Sequence, residues 1–256
     1  MKKAKLIFSV AMFYDLEDIN RFVNDIVKVL AEDGIWVIQQ NYLVGMLLQN
    51  AFCNIVHEHL EYYSLQSLEH LLAKHDLEVF DVELRDINGG SFRTYIGHKN
   101  RHAVNGSVKT LRDMETYLNL DKDDIYQQFA KNIELTKEKI FNFVQGEVKK
   151  GKTFILLGAS TRGNTLLQYI GLNNSLIPYA MERNPEKWGK KIMSLDIPII
   201  SEQEARYKNP DYFFVFPWFF AAEIIKREFE FLQSGGKLFF PLPKPYIVDK
   251  NGRVDL

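Results

Sequence analysis

The sequence of 256 residues is 46% hydrophobic and 25% charged, which is typical of a globular protein with one large or two modest domains and argues against disorder. Its 32 lysine and arginine residues nearly cancel its 33 aspartate and glutamate residues, which excludes an overall field that would attract nucleic acid or an anionic membrane. The single cysteine, Cys53, excludes an internal disulfide and any multi-thiolate metal site, and we expect a small buried residue in a reducing compartment.

The first predicted elements are a strand, a helix and a second strand. Residues 6–13 form a nearly continuous apolar run, which is typical of a strand buried on both faces. This run ends too early for a secretory signal, and no later run has the length of a membrane span, so we expect a cytoplasmic protein. Residues 15–30 carry apolar side chains at helical spacing, and residues 35–38 form a second strand that ends in Gln39-Gln40-Asn41. This order predicts a βαβ unit with parallel strands.

The next segments predict a helix, an antiparallel hairpin and a long helix. Ser64 is a plausible N-cap for a helix with leucines on one face. Residues 77–84 and 91–96 both alternate apolar and polar side chains, which is typical of paired antiparallel strands. Residues 98–107 are expected to form a loop, and residues 121–149 a helix that bridges two lobes.

The C-terminal half predicts a second α/β lobe with the same architecture and no obvious sequence repetition. The predicted strands and helices, in chain order, are residues 153–157, 165–170 (helix), 176–181, 211–216, 219–232 (helix) and 237–240. The whole chain is therefore predicted to be an α/β protein.

The segment from Asn54 to Ser64 places two histidines, two glutamates and two tyrosines directly after two predicted strands. Ligands of α/β sheets gather at the carboxyl ends of strands, and the pKa of histidine lies near neutrality, so the segment suits acid–base chemistry. In this interpretation Glu58 raises the pKa of His59 and fixes its tautomer. A metal site at His57 and His59 lacks a third ligand at a recognised spacing, and a polar loop with satisfied histidines is the alternative.

Residues 158–165 differ from a Walker A loop because Asn164 stands where that motif has lysine, so a triphosphatase is not expected. A strand, a glycine loop and a helix start still offer backbone N–H groups and a positive helix end to an anion, and Arg162 adds a fork-shaped donor. The segment predicts a site for a diphosphate-bearing small molecule, with a plain tight turn as the alternative.

Several short motifs, spread through nearly the whole chain, are together specific enough to indicate a family, although any one of them alone would be weak. They are Phe13-Tyr14-Asp15-Leu16, Asp33-Gly34-Ile35-Trp36, His57 to Ser64, Gly89 to Arg93, Gly158 to Leu167, Ile197-Pro198-Ile199 and Pro217-Trp218. In these stretches the sequence resembles the sugar C-methyltransferase family, whose members use S-adenosylmethionine to methylate a carbon of a nucleotide-linked keto-sugar. The resemblance implies that residues 1–85 form the C-terminal half of a Rossmann-like class I methyltransferase domain. Residues 86–256 then correspond to the family's C-terminal α/β domain, with the bridging helix at about 121–149.

The resemblance also implies roles for individual residues. His59 corresponds to the general base, with Glu58 beside it, and His57 or Tyr62 would replace a tyrosine that relatives carry at the position of Val56. Phe219 replaces a polar residue of the family, so a hydrogen bond near the sugar or base is missing. The implied binding residues are Gly89, Gly90 and Ser91 for the sugar, Arg162, Gly163 and Asn164 for the diphosphate, Glu182 or Arg183 for the nucleoside, and Ser9, Ala11 and Phe13 for the cofactor.

The family's N-terminal zinc domain and glycine-rich cofactor loop have no counterpart, since nothing before Leu6 supplies such a loop. The sequence thus predicts an S-adenosylmethionine-dependent C-methyltransferase of a nucleotide-linked keto-sugar. We expect a truncated reading frame, or half of a split enzyme whose second chain brings the missing N-terminal half. One alternative is a non-catalytic nucleotide-sugar-binding module. Another is a nicotinamide-dependent oxidoreductase, although residues 158–163 lack the central glycine of G-x-G-x-x-G.

Overall fold

The computed structural model describes residues 2–256, which fold into two compact units. The first unit runs to Gln49 and resumes from His57 to Gln128, and the second comprises Asn50–Val56 and Phe129–Leu256. The first unit contains β1 (Ala4–Val10), α1 (Ile19–Val29), β2 (Leu30–Asn41), α2 (Leu43–Leu48), α3 (Leu65–Ala73), β3 (Leu77–Arg85), β4 (Ser91–His98) and α4 (Gly106–Tyr117). The helix α5 (Asp123–Lys149) begins in the first unit and ends in the second.

The sheet of the first unit has the strand order β1-β2-β4-β3. β1 and β2 are parallel, with Leu6 opposite Ile35, whereas β2–β4 and β4–β3 are antiparallel. The predicted βαβ unit and hairpin are therefore confirmed. Two helices begin where short polar side chains cap them: Asp18 accepts from the N–H of Arg21 in α1, and Ser64 accepts from the N–H of Ser67 in α3, as predicted.

One face of this sheet carries the core, and the other does not. Trp36 and Phe92 pack with buried side chains of α1, α3 and α4. On the opposite face of β1, Leu6, Phe8 and Val10 are 52%, 63% and 58% exposed. The prediction of a strand buried on both faces was wrong, because an apolar run alone does not reveal which of its faces has a neighbour.

The compact units do not divide where the family resemblance divides the sequence, between residues 85 and 86. A division between residues 85 and 86 would separate β3 from β4, which pair along their whole length. The division instead falls inside α5, between Gln128 and Phe129. The helix α4 was not predicted, and the loop predicted at residues 98–107 ends where this helix begins.

The second unit is a doubly wound sheet with two additional C-terminal strands. Its elements are β5 (Phe154–Leu157), α6 (Thr161–Ile170), β6 (Tyr179–Glu182), β7 (Lys191–Ile192), β8 (Ile197–Ser201), α7 (Glu202–Tyr207), β9 (Tyr212–Val215), α8 (Ala221–Arg227), α9 (Phe229–Gln233), β10 (Lys237–Phe240), β11 (Tyr246–Asp249) and β12 (Gly252–Asp255). The strand order is β12-β11-β10-β9-β5-β6-β8-β7, and the five strands from β10 to β8 are parallel. The second α/β lobe is confirmed, although the helix predicted at 219–232 is divided at Glu228.

This strand order has a functional consequence. The chain proceeds from β5 to β6 and β8 on one side and then crosses to β9 and β10 on the other. In doubly wound sheets, ligands bind outside the carboxyl ends of the strands at the point where the order reverses. That point lies between β5 and β9, directly before the loops that begin at Gly158 and Phe216.

Residues 50–56 contribute to the second unit although they precede it in the chain. The side-chain amide of Asn50 donates to Thr136 Oγ1 at 2.9 Å, and the ring of Phe52 lies 5.7 Å from that of Tyr169. Cys53 is buried, as predicted, and burial raises the pKa of its thiol. Within residues 2–256, no helix is both long and apolar enough to cross a membrane.

Candidate active site

The segment His57–Tyr63, called here the histidine segment, is fixed to the first unit by backbone hydrogen bonds. The carbonyl of Tyr14 accepts from the N–H groups of Leu60 and Glu61 at 2.9 and 3.2 Å, and the carbonyl of Tyr63 accepts from Leu43 at 2.9 Å. The imidazole of His59 meets the ring of Tyr14 edge-on, with centroids 4.5 Å apart. These contacts hold His59 half-buried near the carboxyl end of β2.

Glu58, the predicted acidic neighbour of the base, lies at the surface. It pairs with His57, with Glu58 Oε1 3.7 Å from His57 Nε2, and the two side chains are 49% and 83% exposed. An exposed ion pair is screened by water and contributes little. The ion pair that the structure gives for Glu58 is thus the one with His57, and the predicted action of Glu58 on His59 stays a prediction.

Asp15 is an acidic group near His59 that the sequence analysis missed. Partial burial raises the pKa of Asp15, the interaction with His59 lowers it, and the charge of Glu58 raises it. Its Oδ1 atom is buried and accepts no hydrogen bond from residues 2–256. A carboxylate that lies beside a histidine and whose pKa is raised by burial is typical of a functional site. The stretch Phe13-Tyr14-Asp15-Leu16 was the available signal for it, but it suggested no role for Asp15.

A small pocket adjoins His59. It is lined by Tyr14, Asn41, Tyr42, Leu43, Met46, His59, Glu61 and Tyr62, and it encloses about 10 Å³. That volume is close to the minimum that one water molecule requires, so the pocket suits one small polar group. Asn41, the last residue of β2, places a side-chain amide there that the sequence analysis did not single out.

A buried carboxylate fixes one wall of this pocket. Glu115 of α4 is fully buried and accepts from the hydroxyl of Tyr42 at 2.8 Å and from the N–H groups of Leu65 and Gln66 at 2.6 and 2.9 Å. The carboxylate thus binds the N-terminus of α3, where it meets the positive end of the helix. Burial and the charge of Glu115 raise the pKa of Tyr42, so this phenol stays protonated and donates.

The predicted cofactor residues are placed differently from one another. The hydroxyl of Ser9 accepts from the indole of Trp36 at 3.0 Å, and Ser9 is buried. Phe13 lies in the core, with its ring 5.4 Å from that of Trp36. Only Ala11 is exposed, and its φ of 51° turns the chain away from the strand. Burial therefore removes the side chains of Ser9 and Phe13 from contact with any cofactor.

The predicted sugar residues form a buried turn. Gly90 has a φ of +106°, and a Cβ atom there would lie 2.9 Å from Gly45 Cα, so the position needs glycine for packing. The hydroxyl of Ser91 donates to Arg85 O and accepts from Gln39. Because Gly89, Gly90 and Ser91 are all buried, their side of the turn is not open to a sugar.

The glycine loop of the second unit lies at its topological switch point. Gly158 has a φ of +97°, and Ser160 caps α6 by accepting from the N–H of Gly163 at 3.3 Å. A Cβ atom on Gly163 would lie 2.3 Å from the ring of Phe216, so this glycine permits helix–strand packing rather than approach to a phosphate. The guanidinium of Arg162 lies 5.8 Å from the centre of the Phe219 ring.

Glu182 closes this loop from the end of β6. Its carboxylate accepts from the N–H groups of Ala159, Arg183 and Asn184 at 3.3, 2.8 and 3.2 Å and pairs with Lys187. Although partial burial opposes it, this set of donors lowers the pKa of Glu182 below its usual value. Arg183 is exposed, whereas Asn164 is half-buried with an Oδ1 atom that accepts no hydrogen bond from the described chain.

No metal centre is formed by the described part of the chain. Across residues 2–256, no three histidine, cysteine, aspartate or glutamate side chains are grouped closely enough to hold a metal ion.

Comparison with known proteins gives one family. The sequence model of the C-methyltransferase C-terminal domain matches residues 86–243. The C-methyltransferase NovU from Streptomyces niveus is 34% identical over 246 residues, which cover 96% of this chain and 59% of NovU. The chain thus spans less than two thirds of the length of this relative.

Two solved structures are distant likenesses of this chain. The structure of LepI in complex with SAM has a TM-score of 0.31 and 14% identity, over 38% of this chain and 27% of LepI. The tRNA methyltransferase TrmK from B. subtilis has a TM-score of 0.28 and 10% identity, over 67% of this chain and 61% of TrmK.

Proposed function

The chain belongs to the C-methyltransferase family, and from that premise we propose that it forms part of an S-adenosylmethionine-dependent enzyme that methylates a carbon of a nucleotide-linked keto-sugar. The observation that carries the proposal is the environment of His59. This imidazole is half-buried, lies against Tyr14, interacts with Asp15 and lines a small pocket near the carboxyl end of β2. Such an environment suits a general base.

In the proposed reaction, His59 removes a proton from the carbon next to the ketone. The carboxylate of Asp15 stabilises the imidazolium that forms, because opposite charges at short range favour the charged state of both groups. When bound, S-adenosylmethionine would supply an electrophilic methyl group for that carbon. Glu58 and His57 would act at the rim, where their exposed pair changes the local charge rather than contacting the reacting atoms.

The second unit is proposed to hold the nucleotide. Its switch point combines the start of α6 with Arg162, and a helix N-terminus next to a guanidinium suits a diphosphate. Asn164 would contribute its amide, and Gly163 would act only through its packing on Phe216. Glu182 and Arg183 are proposed to contact the nucleoside, with Glu182 exchanging one of its backbone partners for a ribose hydroxyl.

The residues of this chain fit only one edge of a cofactor site. Of the predicted contacts, only Ala11 at the end of β1 is exposed, and it offers backbone groups alone. We therefore propose that the chain by itself binds S-adenosylmethionine weakly and that further polypeptide completes the site.

The surface of β1 supports this second proposal. Among residues 2–256, β1 pairs on one side only, with β2. Its residues Leu6, Phe8 and Val10 line an open, mostly apolar groove that also includes Ile35, Val37, Gln39, Arg93 and Tyr95. Parallel strands are normally covered on both faces, and an apolar patch next to a free strand edge favours association. The proposed occupant is methyltransferase-domain polypeptide, in the same chain or a second one, corresponding to the part of NovU that this chain does not match.

Proton exchange tests the proposed chemistry without methyl transfer. The full chain is incubated in D₂O with a thymidine-diphosphate-linked keto-hexose, and NMR follows loss of the hydrogen next to the ketone. His59→Ala should slow this exchange by about 10²–10⁴-fold. The control His70→Ala removes an exposed imidazole from α3 and should leave the rate unchanged. Equal rates for wild type and His59→Ala would contradict the proposal.

Complementation tests the proposed partner surface. The chain is co-expressed with the part of NovU that it does not match, and calorimetry measures S-adenosylmethionine binding with and without that part. Phe8→Lys should weaken complementation, whereas Leu48→Lys should not, and both side chains are 63% exposed in the chain alone. Micromolar binding by the isolated chain would refute the need for further polypeptide.

A further inference from the structure

Asn41 occupies a position that suits contact with a ligand. It is the last residue of β2, opposite Ser91 of β4, and the following N–H of Tyr42 donates to Gly90 O at 3.2 Å. These ladder bonds fix its backbone. Its side chain lines the same small pocket as His59, at the carboxyl end of the strand where ligands of α/β sheets gather.

The amide nitrogen of Asn41 lacks a hydrogen-bond acceptor. Its Nδ2 atom is buried and donates to no atom of residues 2–256. Buried donors in native proteins are nearly always paired, so a donor left without a partner in a pocket points to a bound group that accepts from it. The adjacent Gln40 is only 2% exposed, and neither polar atom of its amide has a hydrogen-bond partner. The end of β2 therefore carries buried polar groups that no hydrogen bond within residues 2–256 satisfies.

The size and lining of the pocket define the group that fits. A volume of about 10 Å³ admits one oxygen-sized group, and the residues that line it include Asn41, an amide donor, and His59, an imidazole. A neutral amide donor binds a carbonyl oxygen and binds an enolate oxygen more strongly, because a hydrogen bond to a charged acceptor is stronger. A base and an oxyanion donor in one pocket are the two groups that enolisation requires.

Resting on the function proposed above, we propose that Asn41 is a catalytic residue whose Nδ2–H donates to the ketone oxygen of the acceptor and stabilises the enolate. His59 takes the proton from the neighbouring carbon and becomes imidazolium. The electron pair of the broken C–H bond forms the carbon–carbon double bond, and the π pair of the ketone moves to its oxygen. The negative charge therefore develops on the atom that faces Asn41.

Two substitutions separate this role from a structural one. Asn41→Asp keeps the size of the side chain but replaces the amide N–H donor with a carboxylate oxygen. Asn41→Leu removes both the donor and the acceptor of the amide. With the exchange assay in D₂O described above, both variants should lose about 10²–10³-fold in rate, as expected for loss of one oxyanion donor. Asn24→Asp, the same change at an exposed residue of α1, should leave the rate unchanged.

Thermal unfolding supplies the second measurement. Because Asn41→Leu removes a buried donor that has no internal partner, its melting temperature should equal or exceed that of wild type, so slow exchange cannot be attributed to unfolding. Exchange within about threefold of wild type in both variants would overturn the role of Asn41 and leave a structural water as the occupant. Absence of exchange in wild type would instead overturn the proposed function, and this inference with it.

Discussion

Glu115 offers the sharpest test of how the pocket is supported. The substitution Glu115→Gln keeps the shape of the side chain but replaces one acceptor oxygen with an N–H₂ donor. The carboxylate accepts three hydrogen bonds, from Tyr42, Leu65 and Gln66, so an amide can satisfy only those that reach its single oxygen. At least the donor facing the new nitrogen must then lose its partner.

The expected loss follows from these contacts. One hydrogen bond to a charged group contributes about 1.5–3 kcal/mol, and the two that remain weaken when their acceptor becomes neutral. A neutral side chain is cheaper to bury, which offsets part of this loss, so we expect a net destabilisation of about 3 kcal/mol. For a protein of this size, that corresponds to a fall in melting temperature of about 6–12 °C.

Urea unfolding and calorimetry of the full chain measure this loss. The control Glu69→Gln removes a carboxylate of α3 that pairs with Arg112 at the surface, and it should cost less than about 1 kcal/mol. If Glu115→Gln unfolds within about 0.5 kcal/mol of wild type, the buried carboxylate does not fix α3 and Tyr42 as argued.

Three further predictions concern stability. Gly163→Ala should lower the free energy of unfolding by about 1–3 kcal/mol, because its Cβ would overlap the ring of Phe216. Gly146→Ala, in an open part of α5, should raise that free energy by up to about 1 kcal/mol, and urea unfolding measures both. Because the pKa of Tyr42 is raised in the folded state, the unfolded state loses the phenol proton at a lower pH than the folded state does. The free energy of unfolding should therefore fall above about pH 10, and it should fall less steeply in Tyr42→Phe. The raised pKa of Asp15 means that its charged form destabilises the fold, so Asp15→Asn should melt higher than wild type at about pH 7, a difference that vanishes as the pH falls below about 4.

Local patterns were sufficient to predict most elements of the fold. The βαβ unit, the hairpin and the cap at Ser64 each depend on residues close together in sequence, and all three were confirmed. The exposure of β1 and the boundary inside α5 depend on which elements pack together, and a single sequence does not contain that information in local form.

The candidate site divides in the same way. A polar segment after buried strands was enough to identify His59 as a candidate base. Asp15 could not be identified beside His59 from the sequence, because the two residues are far apart in the chain. Asp15 comes near His59 through the hydrogen bonds between Tyr14 and the histidine segment. Asn41 is not recognisable from sequence, since an amide at the end of a strand is informative only when its partners are known.

The seven residues from Asn50 to Val56 make the two units inseparable by a single cut. A polypeptide that begins at residue 129 would leave Thr136 without its bond from Asn50 and Tyr169 without the ring of Phe52. If relatives exchanged domains at a single crossover point, the second unit of one protein would be combined with residues 50–56 of another. Only an exchange that carries residues 50–56 along with the C-terminal part would preserve both cores.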